Sequence, residues 1–286
     1  MKTEMTNRKV AIVTGSNKGI GFAIVKALCE KFTGDVYLTA RDKNRGLNAV
    51  KLLNEQGYHP KFHVLDITIP ENVSALKDHI IKEYGGIDVL INNAAIAFKE
   101  NATEPFEIQA KETLQVNYFA LRDTCNILFP ILNPHSRVVN ISSSAGHLSN
   151  IPQKNLRDKL SSEDLTETEL SNLMNSFVQA AQNNNYIELG WPSRAYSVSK
   201  VGVSALTRIQ QREFSQDTNR PDIIVNSVHP GYVDTDMTSH KGVLTIEQGA
   251  EAPVYLALLP ENVNKPKGDY VWYNKVIVDW VNGPLP

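Results

Sequence analysis

Tyr196 and Lys200 are four residues apart in a segment, 195–212, that the sequence predicts to be helical. On a helix this spacing brings both side chains to one face. A phenol alone is a poor acid–base catalyst, because its pKa is about 10. A neighbouring ammonium stabilises the phenolate and moves that pKa towards neutral pH. The pair could therefore exchange a proton with a substrate, although a Tyr-x-x-x-Lys pair also arises in helices by chance.

A second group of reactive side chains ends the fifth predicted strand, 137–142. Ser142, Ser143 and Ser144 lie at its carboxyl end, which is where ligands bind in open parallel sheets. A serine hydroxyl there can donate a hydrogen bond to a carbonyl oxygen as negative charge develops on it. Asn92-Asn93-Ala94 ends the fourth predicted strand in the same way. These strand ends predict a polar site at one edge of the sheet.

A glycine-rich turn joins the first predicted strand to the first predicted helix. It reads Thr14-Gly15-Ser16-Asn17-Lys18-Gly19-Ile20-Gly21. Glycines in such a turn let the backbone approach a pyrophosphate, which rests on the helix amino terminus. Three glycines alone could serve packing only, but the strand before them and the helix after them favour a dinucleotide site.

The end of the second predicted strand indicates which dinucleotide binds. An NAD site has an acidic residue there for the ribose 2′-hydroxyl, whereas this sequence has Thr39-Ala40-Arg41, and Asp42 comes too late. Arg41 and Lys18 can both reach a 2′-phosphate. We therefore predict NADP(H), with two solvated surface cations as the alternative.

These motifs lie on alternating short apolar runs and amphipathic stretches. Such an order implies right-handed βαβ crossovers. It predicts an α/β fold with a Rossmann-type doubly wound parallel sheet in three α/β/α layers, as a single domain over 1–286. A long helix should fill much of 106–132. At about 148–192 we predict a helical insertion, in which Thr166 and Glu169 form a capping-box pattern before an amphipathic helix that ends at 183–185.

The composition excludes several classes of protein. The chain has 286 residues and a net charge of −2, so no basic field attracts nucleic acid. No apolar run approaches the roughly 18 residues of a membrane span, and the polar amino terminus predicts no signal peptide. Cys29 and Cys125 are far apart and predict free thiols in a reducing compartment. We expect a cytoplasmic protein with no nucleic-acid, membrane or metal partner.

In combination the motifs resemble the short-chain dehydrogenase/reductase family. They occur in that family's order from residue 9 to about 259: the glycine turn, Asn92-Asn93-Ala94, Asn117, Ser143, Tyr196-x-x-x-Lys200 and Pro230-Gly231. Further stretches are similar to the monomeric NADPH-dependent carbonyl reductases of animals, namely 17–21, 38–42, 84–90, 97–99, 190–192 and 254–260.

The resemblance implies NADPH-dependent reduction of aldehydes, ketones and quinones. Tyr196 would give the proton to the carbonyl oxygen, and Lys200 would lower the pKa of Tyr196 and hold the nicotinamide ribose. Ser143, rather than Ser142, would polarise the carbonyl, and Asn117 would hold a water that relays protons to Lys200. The other implied cofactor contacts are Gly15, Asn17, Lys18, Gly19, Ile20, Gly21, Arg41, Asp66, Ile67, Asn93, Pro230, Val233 and Thr235.

The substrate contacts implied besides Ser143 are Phe98, Lys99, Trp191 and Tyr232. Phe98 and Lys99 match positions that contact glutathione conjugates in such relatives, while Glu100 opposes anion binding. Trp191 is expected on the active-site rim, and Tyr232 stands where close relatives have tryptophan.

Two further positions depart from the family pattern. Ala95 stands where the family usually has glycine, and His229 stands where some relatives carry a reactive cysteine. We interpret His229 as a wall residue rather than a catalyst.

The insertion bears on the oligomeric state. Ordinary members of the family pair through the tyrosine-bearing helix and the long helix before the fifth strand. The apolar face of the inserted helix must be buried somewhere, and covering that interface within one chain predicts a monomer. The alternative is a flap over the substrate alone.

Two other functions stay open at this stage. One is a reductase of the same mechanism with a narrow substrate, such as a pterin, a steroid or a prostanoid. The other is a noncatalytic NADP(H)-binding regulator, which the presence of both Tyr196 and Lys200 disfavours.

Overall fold

The computed structural model describes residues 8–284. Its strands are β1 (Val10–Val13), β2 (Asp35–Ala40), β3 (Lys61–Val64), β4 (Ile87–Asn92), β5 (Leu132–Ile141), β6 (Ile224–Val228), β7 (Tyr270–Val271) and β8 (Ile277–Val278). They form one sheet in the order β3-β2-β1-β4-β5-β6-β7-β8. All neighbours are parallel except β7 and β8, which are antiparallel. The predicted doubly wound sheet is confirmed.

Helices cover both faces of this sheet. They are α1 (Gly19–Lys31), α2 (Lys43–Glu55), α3 (Pro70–Tyr84), α4 (Phe106–Leu114), α5 (Leu121–Leu128), α6 (Lys154–Ser161), α7 (Glu167–Gln182), α8 (Ala195–Gln216) and α9 (Ile246–Ala257). Side chains alternate across a strand, so Ala11 and Val13 pack with α1 and α9 while Val10 and Ile12 pack with α3. Within 8–284, no helix is both long enough and apolar enough to cross a membrane.

The long helix predicted to fill much of 106–132 is confirmed, but it has internal irregularities that were not predicted. The structure divides it into α4, a π-helical turn (Gln115–Ala120), α5 and a short 3-10 turn, and β5 begins at Leu132 rather than at Arg137. A π-turn adds a residue to the helical repeat and often lies at a functional site. Asn117 lies in this turn.

The segment 148–192 contains the predicted amphipathic helix, α7, and one helix that was not predicted, α6. Thr166 and Glu169 make the capping box, and the helix ends at Gln182, just before Asn183. The buried face of α7 packs on α4, the π-turn and α8. Tyr118 and Ser171 join the π-turn to α7 through a hydrogen bond of 3.1 Å between their hydroxyls.

No pattern in the sequence predicted β7 and β8. Each has two residues, which is too short for an alternating pattern to be recognised. β7 extends the sheet beside β6. The chain beyond residue 269 therefore reaches the edge of the sheet next to the predicted reactive residues.

Candidate active site

The parallel register brings four strand ends to one edge of the sheet. Val13 lies beside Ile91, Asn92 beside Asn140, and Ile141 beside Val228. The segments that follow these strands are the glycine turn, 93–97, 142–147 and 229–235. The residues predicted from distant parts of the sequence thus meet at the carboxyl edge, where ligands bind in such sheets.

The glycine turn is locked against the end of β4. Gly15 has a φ of +60°, and a Cβ there would lie 2.8 Å from Ala94 Cα; a Cβ on Gly21 would lie 2.5 Å from Asn93 Nδ2. Asn93 Nδ2 donates to the carbonyl oxygens of Thr14 and Gly15, both at 3.0 Å. Glycine is required at both positions because of these close approaches.

The amino terminus of α1 is open towards solvent. Its N-cap residue, Lys18, makes no capping hydrogen bond through its side chain. The first N–H groups of a helix need acceptors and carry partial positive charge, so this terminus suits an anion such as a pyrophosphate.

A cavity of about 620 Å³ lies beside this turn. Its lining includes most of the predicted cofactor contacts: Gly15, Asn17, Lys18, Gly19, Ile20, Gly21, Arg41, Asp66, Ile67, Asn93 and Thr235. The other predicted contacts, Tyr196, Lys200, Pro230 and Val233, do not line this cavity, and Pro230 and Val233 are buried. An elongated, phosphate-bearing ligand fits this combination of an open helix terminus, close glycines and cations.

More cations lie at one end of the cavity than the sequence predicted. Arg41 is exposed, and Arg45, one turn into α2, lines the same wall. Asp42 is the N-cap of α2 and accepts a hydrogen bond of 2.8 Å from the backbone N–H of Arg45. This bond lowers the pKa of Asp42. Arg45 was not predicted because it resembles a surface residue of an amphipathic helix. Its position in the first helical turn after Arg41 could have indicated that it lies at the site.

The predicted 2′-phosphate ligand Lys18 has an acidic partner. Lys18 Nζ lies 2.6 Å from Asp236 Oδ2 across the mouth of the cavity, and the pair is mostly exposed. His240 contacts both Asp234, at 2.7 Å, and Asp236, at 3.1 Å. The hydrogen bond to Asp234, followed by that to Asp236, raises the pKa of His240. These residues follow β6 and were not predicted as part of the site.

Tyr196 and Lys200 lie on α8 opposite the end of β5. Lys200 Nζ is 5.7 Å from the centroid of the Tyr196 ring and donates to the Ile141 carbonyl oxygen at 2.7 Å. The Ser143 side chain lies close enough to the Tyr196 hydroxyl to lower the pKa of Tyr196. The structure therefore brings the three predicted reactive side chains together.

Burial controls the charge states of this group. It raises the pKa of Tyr196 to about 12, although the Ser143 side chain acts in the opposite direction. It also lowers the pKa of Lys200 to about 7. The spacing of the two residues predicted that Lys200 lowers the pKa of Tyr196, whereas in the structure burial raises it.

The two serines after β5 have different surroundings. Ser142 is buried, and its Oγ lies 2.8 Å from Ser204 Oγ and 3.3 Å from the Lys200 carbonyl oxygen. Ser143 is half-buried and faces Tyr196. This difference favours Ser143 over Ser142 as the residue that can reach a ligand.

Asn117 holds the loop after β4. Its Oδ1 accepts from the Ile96 N–H at 2.8 Å, and its Nδ2 donates to the Ile96 carbonyl oxygen at 2.9 Å and to Ser199 Oγ at 3.1 Å. Ala95 lines the cavity beside Ile96 without a positive φ. An alanine therefore fits where the family usually has glycine.

The predicted substrate contacts differ in their exposure to solvent. Tyr232 is 49 % exposed, and its carbonyl oxygen accepts from Leu244 N–H at 3.1 Å. Phe98 and Lys99 lie on the loop after β4, where Lys99 is exposed. The expectation for Trp191 is corrected: it is 3 % exposed and packs against Phe177 in the core under α7, because its large apolar ring is better buried there than on a rim.

The fold and this site define a dinucleotide-binding oxidoreductase of the Rossmann type. The family model for short chain dehydrogenase matches residues 9–155 and 189–243. The chain belongs to the short-chain dehydrogenase family. The match leaves out 156–188, which holds most of α6 and all of α7.

Several proteins are similar to this chain over nearly its whole length. Carbonyl reductase (NADPH) 3 of Mus musculus is 49 % identical over 274 residues, which cover 95 % of this chain and 98 % of that protein. Carbonyl reductase (NADPH) 1 of Homo sapiens is 48 % identical over 269 residues, covering 93 % and 97 %. The structure of salutaridine reductase from Papaver somniferum has a TM-score of 0.83 and 32 % identity, covering 92 % of this chain and 99 % of that one.

The lowered pKa of Lys200 predicts a pH dependence of stability. The folded pKa is about 7 and the ordinary value is 10.5, so between them the unfolded chain binds a proton that the folded chain does not. Stability contributed at this site therefore rises with pH, by up to about 1.4 kcal/mol per unit. In urea unfolding at several pH values, the free energy of unfolding of wild type should rise relative to that of Lys200→Met as pH increases. Lys31→Met, an exposed lysine, is the control; a pH-independent gap for Lys200→Met would contradict the assignment.

Proposed function

We propose that this chain is an NADPH-dependent carbonyl reductase, which reduces aldehydes, ketones and quinones to alcohols with Tyr196 as the proton donor. The observation that carries the proposal is the grouping of Tyr196, Lys200 and Ser143 at the carboxyl edge of the sheet, the same edge at which the glycine turn lines the cavity. The similar proteins named carbonyl reductase (NADPH) support the same activity and cofactor.

The residues around the cavity fit NADPH. The open terminus of α1 would hold the pyrophosphate, and Asp66 and Ile67 would lie at the adenine end. Arg41 and Lys18 would bind the 2′-phosphate, for which Lys18 must exchange or share its contact with Asp236. When bound, the cofactor supplies the hydride.

The protein's part is to place the carbonyl and stabilise its developing charge. Ser143 Oγ would donate a hydrogen bond to the carbonyl oxygen, and the Tyr196 hydroxyl would give it a proton. Tyr196 stays protonated at neutral pH because burial raises its pKa. A positive Lys200 beside the ring would stabilise the phenolate that remains after transfer.

Removal of the Tyr196 hydroxyl tests the proposed acid. With NADPH and menadione, Tyr196→Phe should lower kcat by roughly 10²-fold or more, since general acid catalysis contributes about that much. Binding of NADPH, measured by quenching of the protein's fluorescence, should change little. Tyr255→Phe, an exposed tyrosine on α9, should behave as wild type. Unchanged turnover in Tyr196→Phe would exclude Tyr196 as the acid.

Cofactor choice tests the cations. Arg41→Ala and Lys18→Ala should each raise KM for NADPH by about tenfold or more, because each removes a charged hydrogen bond to the 2′-phosphate. KM for NADH, which lacks this phosphate, should change little and is the internal control. A wild-type enzyme that uses NADH and NADPH equally well would sink the assignment of NADPH.

We further propose that the chain forms a single domain over 1–286, of which 1–7 and 285–286 lie outside the described residues. We propose that it is monomeric in solution, with its helical insertion at about 148–192. The support is that α7 buries Leu170, Met174 and Phe177 against α4 and α8. A Cβ on Gly202 of α8 would lie 2.7 Å from Met174 Sδ. In this arrangement the same chain covers the helix face through which ordinary family members pair.

The oligomeric state is directly measurable. Sedimentation equilibrium at micromolar concentration should give a mass near 31.8 kDa. A mass near twice this value, which is that of a dimer, would contradict the proposal.

The proposed compartment is the cytoplasm. Cys29 and Cys125 are both free thiols, and burial raises the pKa of Cys29 to about 11 and that of Cys125 to about 12. Such thiols are weakly reactive and suit a reducing environment.

A further inference from the structure

The peptide unit between Ser143 and Ser144 is held at both of its polar groups by side chains. Its carbonyl oxygen, on Ser143, accepts a hydrogen bond of 2.6 Å from Tyr270 Oη. Its N–H, on Ser144, donates to His229 Nδ1 at 2.9 Å. The C=O and N–H of a planar trans peptide point in opposite directions. Tyr270 and His229 therefore hold this peptide from opposite sides and oppose its rotation.

Both anchors are themselves fixed. Tyr270 in β7 is 3 % exposed, and His229 after β6 is 7 % exposed. The backbone N–H of His229 donates to the Val271 carbonyl oxygen at 2.9 Å. The centroids of the His229 and Trp272 rings are 4.3 Å apart. Pairing of β6 with β7 thus sets the separation of the two anchors before any ligand binds.

The anchored peptide determines where the Ser143 side chain points. The peptide plane sets ψ of Ser143, which is 163°, and with it the angle between the Cα–Cβ bond and the anchored peptide. Ser143 Oγ accepts a hydrogen bond of 3.2 Å from the Ala145 N–H, which follows that peptide. From this position the Ser143 side chain acts on Tyr196, whose pKa it lowers. A donor that stabilises a developing oxyanion works only when it is already in position, and a displacement of about 1 Å can cost roughly 10²-fold in rate.

The histidine must be neutral to act in this way. Nδ1 accepts the Ser144 N–H, so the ring proton is on Nε2. Burial lowers the pKa of His229 to about 4, which keeps this acceptor available at neutral pH.

We propose that Tyr270 and His229 are positioning residues: they clamp the Ser143–Ser144 peptide and thereby aim Ser143 Oγ at the substrate carbonyl. This inference rests on the proposed function, in which Ser143 donates to that oxygen. It assigns the last parallel strand of the sheet a part in the reaction.

The first test removes each anchor separately. Tyr270→Phe keeps the ring and deletes the donor, and should lower kcat with NADPH and menadione about tenfold while KM for NADPH stays constant. His229→Leu should do the same. His229→Asn, which places an amide oxygen close to the position of Nδ1, should restore kcat to within about threefold of wild type. Tyr255→Phe is the matched control, and the melting temperature of each variant is recorded.

The second test asks whether the clamp acts through Ser143. In a Ser143→Ala background, Tyr270→Phe should cause little further loss of kcat, because residues that act as a unit are not additive. The same tenfold loss in that background, or full kcat in Tyr270→Phe alone, would overturn the clamp.

The two proposals fail in different ways. Full kcat in Ser143→Ala would contradict the proposed role of the serine and the clamp with it. Loss in Ser143→Ala without loss in Tyr270→Phe would overturn the clamp alone. Should Tyr270→Phe not fold, the comparison of His229→Leu with His229→Asn decides: equal kcat in these two variants would overturn the clamp.

Discussion

The face of α8 that carries Tyr196 and Lys200 is held against β5 by buried hydrogen bonds, and the active-site geometry depends on them. Lys200 Nζ donates to Ile141, Ser204 meets Ser142, and Asn140 Nδ2 donates to Thr207 Oγ1 at 2.9 Å. Polar groups buried without partners would cost stability, so these contacts specify one position of the helix. Lys200 belongs to both the contact surface and the reactive group.

Two parts of the chain outside the matched family segments support this centre from different sides. α7, within 156–188, covers the outer surface of α8, while β7 and β8, beyond 243, lie against the turn after β5. Trp280 Nε1 donates to the Gly146 carbonyl oxygen at 2.6 Å, and Tyr270 Oη donates to the Ser143 carbonyl oxygen of the same turn. The matched segments thus supply the reactive side chains, and these other parts pack against the helix and the turn that carry them.

Local patterns in the sequence predicted the parts of the fold that are stabilised locally. The capping box of Thr166 and Glu169 requires only residues three positions apart. The buried strands and the glycine turn follow from short runs of apolar residues and from close backbone approaches. Predictions that depended on surroundings were less secure: spacing alone suggested a lowered pKa for Tyr196, while burial raises it, and Trp191 lies in the core instead of on a rim.

The sequence by itself determined the order of the motifs, the alternating elements and the residues able to exchange a proton or bind a phosphate, because these depend on residue type and short spacing. Only the tertiary structure decided which distant groups meet. Tyr270 and His229 hold one peptide although neither is near it in sequence, and Asp236 reaches Lys18 across the cavity. Such contacts depend on the parallel register and on burial, which arise only when the whole sheet and its helices assemble.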